Sequence, residues 1–273
     1  MEEIPIIQKN TRLLDLQYNS ISNLTNSSFQ NLHNLFELYL AHNFLADVNR
    51  GYFGDLLNLR LLDLSFNEIE VIRRESFVGL QRLEQLLLTG NNIKEIESDA
   101  FVDLHLITEL DLSNMFIERI PSYLLSPMTS LTRIDLSFNR LMITEKGFAI
   151  GLQNLAHLYL QGNELKQYYR SDFTRLHSLD MLHTDKYLFC CLAKLKEENC
   201  LPLPDKLSSC QDLMKEDILR AFLWIFGIMA IFGNLFSIGY HVRVEKATVT
   251  SALTKQLACA DCLFGVYMIC IAG

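Results

Sequence analysis

The chain has 273 residues, 49% of them hydrophobic, with 24 Lys+Arg against 32 Asp+Glu and a formal net charge of −8 at pH 7. That length buries a sizeable core and fits one or two domains. The apolar content excludes a disordered chain. The acidic balance argues against nucleic acid as a partner, because phosphate neutralisation needs a basic face. The charge is also uneven. Residues 1–219 hold 20 basic and 30 acidic residues, whereas residues 220–273 carry only Arg220, Arg243, Glu245, Lys246, Lys255 and Asp261. An acidic front is joined to an apolar tail.

The opening MEEIPIIQKN lacks the long apolar stretch of a secretory signal. Residue 1 is therefore read as a start inside a larger protein, or as an alternative start. From Thr11 onward the sequence repeats. Aligning Leu35, Leu59 and Leu83 gives a period of 24 residues. The third unit is the clearest, with Leu59, Leu62, Leu64, Asn67, Ile69, Ile72, Phe77 and Leu80. The first unit carries Leu14, Leu16, Asn19, Ile21, Leu24, Phe29 and Leu32, and a degenerate eighth runs Leu179, Leu182, Thr184.

This pattern resembles the leucine-rich repeat, which implies an α/β solenoid with parallel strands on its concave face. Alternate leucines of a short strand enter the core, and the residues between them turn out onto one shared sheet. The repeated Asn caps backbone groups where the chain leaves the strand, and the Phe fills the convex side. No unit buries its leucines alone, so stacking supplies the stability. Two departures are expected to leave marks. Met115 stands where the fifth unit should carry Asn, removing one rung at a cost of roughly 1–2 kcal/mol if its partners stay unpaired. In the sixth unit Phe148 comes one residue early and Ala149 takes the Phe slot, which predicts an irregular convex side.

The outward strand positions form two rows. One reads Asp15, Tyr39, Asp63, Leu87, Asp111, Asp135, Tyr159, His183, and the other Leu13, Glu37, Leu61, Gln85, Glu109, Arg133, His157, Met181. Asp15, Glu37, Asp63, Glu109, Asp111 and Asp135 are the candidate ligand contacts. Glu109 and Asp111 alternate onto one face of a strand, a carboxylate pair suited to gripping an arginine. The competing reading is that L-D-L-S is filler in this repeat. Phe66 and Phe138, beside the Asn positions, are read as edge packing ahead of ligand contact. Asn23-Leu-Thr and Asn26-Ser-Ser are candidate glycosylation sites.

Four cysteines, Cys190, Cys191, Cys200 and Cys210, follow the last repeat. Of their three pairings, the one joining adjacent Cys190 and Cys191 is strained, which leaves two. A metal site is a weaker alternative, since no His accompanies them. Beyond them lies AFLWIFGIMAIFGNLFSIGYHV, 22 uncharged residues between Arg220 and Arg243. At about 1.5 Å per residue this spans a hydrocarbon core of about 30 Å. A second apolar run from Gln256 to Gly273 carries one charge, Asp261. The linking segment, with Arg243, Lys246 and Lys255, predicts a cytoplasmic loop and so an extracellular repeat domain at the plasma membrane. Asn234 and Asp261 are costly inside such helices unless partnered, so a contact between them, direct or through water, is expected. The Cys259–Cys262 spacing imitates a redox motif, but a membrane helix gives thiols little thiolate character. No G-x-S-x-G, H-E-x-x-H or Walker pattern is present, so neither an enzyme nor a cofactor or metal protein is expected.

The segment from Tyr187 onward resembles the hinge and first two helices of relaxin receptors, leucine-rich-repeat members of the rhodopsin-like G protein-coupled class. The matching stretches are CLPLPDKLSSCQDLM, DILRAFLWIFGIMAIFGNLFSIGY and LACADCLFGVYM, with Gly233-Asn234 and Leu257-Ala258-x-Ala260-Asp261 as helix signatures. The resemblance implies a relaxin- or insulin-like peptide hormone as ligand and assigns arginines of the hormone's B chain to acidic pairs such as Glu109 and Asp111. It implies membrane lipid as surroundings, and a heterotrimeric G protein as partner only in a full-length form. The hinge pattern C-x8-C-x-P implies a Cys191–Cys200 bridge; it has no counterpart for Cys190 and Cys210, which are expected to pair with each other as the remaining two. The implied organisation is a repeat domain over 1–186, a hinge over 187–217, helices over 218–242 and 250–273, and a loop over 243–249. A third helix has no counterpart here, so the chain is read as a fragment or truncated form that does not signal alone. The alternative is a leucine-rich-repeat adhesion, scaffold or decoy protein anchored in the membrane.

Overall fold

A computed structural model describes residues 4–203, 217–243 and 249–272. They fall into two compact units, residues 1–202 and 203–273.

In the first unit each repeat contributes one three-residue strand: Leu13–Asp15, Glu37–Tyr39, Leu61–Asp63, Gln85–Leu87, Glu109–Asp111, Arg133–Asp135, His157–Tyr159 and Met181–His183. These define turns 1 to 8 of a solenoid. With Cys200–Leu201 they form a nine-stranded sheet in chain order, every pair parallel. The period of 24 places Leu38 against Leu62 and Leu62 against Leu86 with no slip. In turns 2 to 8 the central residue of each strand is buried and its two neighbours are half-buried. The leucine core therefore runs the length of the solenoid as one cluster.

Buried asparagines stitch the turns together. Asn67 Oδ1 accepts the Leu45 N–H at 3.0 Å, and its Nδ2 donates to Leu40 O and Leu64 O at 3.0 Å each. Asn43, Asn91, Asn139 and Asn163 repeat this pattern. The Met115 gap is narrower than a whole rung. Leu88 O still accepts from Asn91, and Leu112 O from Asn139, both at 2.7 Å. Only the Ile93 N–H loses its side-chain acceptor, and Met115, 3% exposed, fills the slot with apolar volume.

On the convex side Phe29, Phe53, Phe77 and Phe101 stack with ring centroids 5.9, 6.4 and 5.9 Å apart. Leu125 and Ala149 continue the column without rings, and Phe148 is buried beside Ala149. The column resumes at Phe173, 4.8 Å from Phe189. The irregular convex side expected in turn 6 is thus a change of packing in which both residues remain in the core.

A second break lies on the back flank. Val71–Ile72 pairs with Glu95–Ile96, and Arg119–Ile120 with Ile143–Thr144, but the two pairs do not join. Glu97 N–H donates to Ile72 O at 2.9 Å. One period later stands Pro121, which has no N–H to offer Ile96 O. A cleft of about 840 Å³ opens there, lined by Ile96, Phe116, Arg119 and Pro121 among others.

The C-terminal end of the solenoid is closed by a short helix, α1 (Arg170–Phe173), and by α2 (Tyr187–Ala193), which buries Phe189, Cys190 and Leu192. Cys190 is bonded to Cys200, with Cα atoms 5.9 Å apart. This corrects both expected pairings, Cys191–Cys200 and Cys190–Cys210. Successive helical residues are rotated by about 100°. Cys190 therefore faces the core beside buried Cys200, while Cys191 is half-buried on the next face. Cys191 is also disulfide-bonded, and Cys210 lies outside the described residues. Thiols consumed in a bridge are not available as thiolate ligands, which removes the metal alternative for Cys190 and Cys200.

The second unit contains α3 (Asp217–Arg243) and α4 (Val249–Ala272), which pack on each other. Within them Ala221–Tyr240 and Ala252–Cys270 are long and apolar enough to cross a membrane by length and composition. The helices meet closely at two glycines. A Cβ on Gly227 would sit 2.9 Å from Gly265 O, and one on Gly265 would sit 2.9 Å from Gly227 O.

Candidate ligand-binding face

The strand register carries both sequence rows onto the concave sheet. Leu13, Glu37, Leu61, Gln85, Glu109, Arg133, His157 and Met181 are successive pairing partners, as are Asp15, Tyr39, Asp63, Leu87, Asp111, Asp135, Tyr159 and His183. With neighbouring strands about 4.8 Å apart, each row is a line of adjacent side chains.

The aspartates of L-D-L-S have a structural task of their own. The Oδ1 atoms of Asp15, Asp63, Asp111 and Asp135 accept the backbone N–H two residues on, at 2.9–3.0 Å. This turn, built on the side chain, ends the strand. One oxygen of each carboxylate is committed to the fold, and the carboxylate still stands on the concave surface. The filler reading and the ligand reading therefore describe two atoms of one group.

Glu37 accepts the Tyr39 hydroxyl at 2.8 Å. That hydrogen bond, with burial and the neighbouring carboxylates, raises the Tyr39 pKa. Burial also raises the Asp111 carboxyl above the ordinary carboxylate value, helped by the facing Asp135 and opposed by hydrogen bonds from Ser113 and by Arg133. Like charges on paired strands disfavour ionisation, and hydrogen bonds to the ionised form favour it.

Glu109 is already engaged. Arg133 Nε lies 3.2 Å from its Oε1, and Gln85 Nε2 donates to its Oε2 at 3.3 Å. Arg133 has a second anchor, because Nη1 donates to the Tyr159 hydroxyl at 2.8 Å and the guanidinium lies 4.5 Å from the ring centroid. Tyr159 meets His183 edge-on at 4.9 Å and donates to Met181 Sδ at 3.7 Å. The sequence reading placed Glu109 and Arg133 in one row and missed their pairing. The signal was present, since they are one period apart and of opposite charge.

Phe66 and Phe138 pack along the edge of the sheet. Tyr18, His42 and Phe66 occupy equivalent positions with φ near +54° and stack with centroids 4.3 and 4.5 Å apart. The next equivalent position is Gly90, where a Cβ would lie 2.5 Å from the Phe66 ring. Phe138 lies against Gly162 in the same way. Asn23 and Asn26 are both exposed, and Asn23 Nδ2 donates to Ser22 Oγ at 3.2 Å. In the helical unit no direct hydrogen bond joins Asn234 to Asp261, so of the two expected forms of contact only the one through water remains. Asn234 Nδ2 instead donates to Ala230 O at 2.8 Å, and Asp261 is exposed on α4. Bonding to the carbonyl one turn back satisfies one of the amide's N–H groups without a partner helix.

Several known proteins are similar to this chain. It is 43% identical over 101 residues to the G-protein coupled receptor GRL101 of Lymnaea stagnalis, covering 37% of this chain and 9% of that protein. It is 46% identical over 70 residues to relaxin receptor 2 of Homo sapiens, covering 25% and 9%. It is 34% identical over 96 residues to the follicle-stimulating hormone receptor of Equus caballus, covering 34% and 14%. The matches thus span 9% to 14% of those relatives' lengths. Among solved structures, a chain in the octameric complex of Latrophilin 3, Unc5D and FLRT2 aligns with a TM-score of 0.55 and 26% identity, over 67% of this chain and 64% of that one. A chain of the TLR13–ssRNA13 complex aligns with a TM-score of 0.56 and 25% identity, over 69% and 29%. The leucine rich repeat model matches residues 37–93, 58–117, 81–141 and 129–185, more than half of the sequence. With the 24-residue turns, the asparagine ladder and the parallel concave sheet already described, the chain belongs to the leucine-rich-repeat family.

Proposed function

We propose that this chain belongs to a G protein-coupled receptor for a relaxin- or insulin-like peptide hormone, and that the concave face of its repeats binds the hormone. The observation that supports this is the acidic set Asp15, Glu37, Asp63, Glu109, Asp111 and Asp135, brought into two registered rows on one open sheet. The similarity to relaxin receptor 2 and to follicle-stimulating hormone receptors points the same way. In this reading the repeats are extracellular, Asn23 and Asn26 carry glycans, and α3 and α4 cross the lipid of the plasma membrane. Coupling to a heterotrimeric G protein belongs to a full-length form.

Relaxin titrated onto the full chain in nanodiscs tests the reading. Glu109→Ala with Asp111→Ala should weaken binding roughly 10- to 150-fold, because charge-assisted contacts to arginine contribute about 1.5–3 kcal/mol. Unchanged affinity in the double variant would sink the assignment. A second reading, an adhesion or scaffold protein that binds another protein on the same face, draws support from the likeness to a chain in the Latrophilin 3, Unc5D and FLRT2 complex. Failure of any relaxin- or insulin-type peptide to bind would favour it.

A further inference from the structure

We propose that Arg133 is a specificity-determining residue of the concave face, an internal guanidinium that holds Glu109 as a ligand's basic side chain would and must be displaced from it. This inference rests on the hormone-binding reading and adds a competitor within the site.

Three observations carry it. First, Glu109 has no idle oxygen: Oε1 faces Arg133 Nε at 3.2 Å and Oε2 accepts from Gln85 at 3.3 Å. A cation arriving from solvent therefore meets a carboxylate that is already neutralised. Second, the contact is exchangeable. The Arg133 and Glu109 side chains are 41% and 34% exposed, and ion pairs in such surroundings are weak. Third, Arg133 has somewhere to go. Its hydrogen bond to the Tyr159 hydroxyl at 2.8 Å and its position 4.5 Å from the ring centroid do not involve Glu109. Release therefore leaves no stranded cation, and the stacked guanidinium keeps a favourable cation–π contact. Asp111 faces Asp135 in the adjacent row and feels the charge of Arg133 without an ion pair to it. A ligand that offers one loosely held cation is turned away from Glu109, and one that brings a guanidinium in fixed geometry displaces Arg133.

The test uses relaxin as the probe and the full chain in nanodiscs. Wild type, Arg133→Ala, Glu109→Gln and the double variant are titrated, with melting temperatures to confirm that each is folded. Arg133→Ala should tighten relaxin binding about two- to fivefold, the factor matching removal of a weak surface pair. The gain should vanish in the Glu109→Gln background, where nothing remains to compete for. Equal or weaker binding by Arg133→Ala overturns the inference, and so does a gain that persists undiminished in Glu109→Gln, which would mark a general field effect. In both cases wild-type binding remains, so the hormone-binding reading survives. Absence of relaxin binding to all four proteins overturns that reading and the inference together.

Discussion

Turns 2 to 4 and turns 5 to 7 share one template and differ in how faithfully they follow it. The earlier turns have an unbroken asparagine ladder and a column of stacked Phe53, Phe77 and Phe101. The later turns have Met115 in place of Asn, Pro121 on the back flank, and Leu125 and Ala149 in the phenylalanine column. The strand register is the same in both halves. Where the ladder is complete, a carbonyl such as Leu40 O or Leu64 O is served by the asparagines of two turns, so a single lapse strands one donor and the sheet continues. Redundancy between neighbouring turns allows this array to carry defects.

The largest effect expected from this contrast comes from removing two adjacent rungs in the faithful half. Asn67→Ala strands the Leu45 N–H and leaves a small void, while Leu40 O and Leu64 O keep Asn43 and Asn91. A loss of about 2 kcal/mol is expected. Asn43→Ala with Asn67→Ala also strands Leu40 O and the Ile21 N–H, while Leu16 O keeps Asn19. The double variant should lose about 5 kcal/mol, more than twice the single loss, by urea unfolding. Simple additivity would mean that the shared carbonyls contribute nothing.

Repairing the other half should help less. Met115→Asn offers an acceptor to the Ile93 N–H, but Leu88 O and Leu112 O are already satisfied. A gain of about 0.5–1 kcal/mol is expected, with the packing of buried Met115 as the offsetting loss. A gain as large as the Asn67→Ala loss would show that the gap is not buffered by its neighbours.

The smallest effect is a pH dependence centred on turn 5. The folded state raises the Asp111 pKa above 3.8, chiefly through burial. Its contribution to stability is therefore present below that ordinary value and is lost as pH rises through the raised one. Asp111→Asn should flatten the stability profile across that window and leave the protein slightly more stable at neutral pH. Under the hormone-binding reading the same variant binds relaxin less well, so stability and affinity move in opposite directions. An unchanged profile in unfolding experiments would show that the aspartate is as well solvated in the fold as out of it.

The interior of the solenoid was legible because its physics is periodic. A core residue recurs every 24 positions, and parallel pairing at that offset follows once the leucines must face inward together. The two concave rows, the asparagine ladder and the fragile slot at Met115 all follow from that one number. The helical segments were legible for a similar reason, as length and the absence of charge suffice to mark them. Where a local rule had a strict geometric consequence, as with Pro121 and its missing N–H, the sequence contained the answer, although its effect depended on what lay one turn away.

What only the tertiary structure decided concerns side chains with a choice of partner. Adjacent Cys190 and Cys191 are equivalent on paper, and the rotation of α2 against the last strand selects Cys190 for Cys200. Asn234, expected to meet Asp261, donates to a carbonyl of its own helix. Glu109 had a plausible ligand in solution and found Arg133 in the next turn. Composition and spacing determine which residues share a face. Which of them touch is set by distances of a few ångströms, because hydrogen bonds and ion pairs fall off steeply over that range.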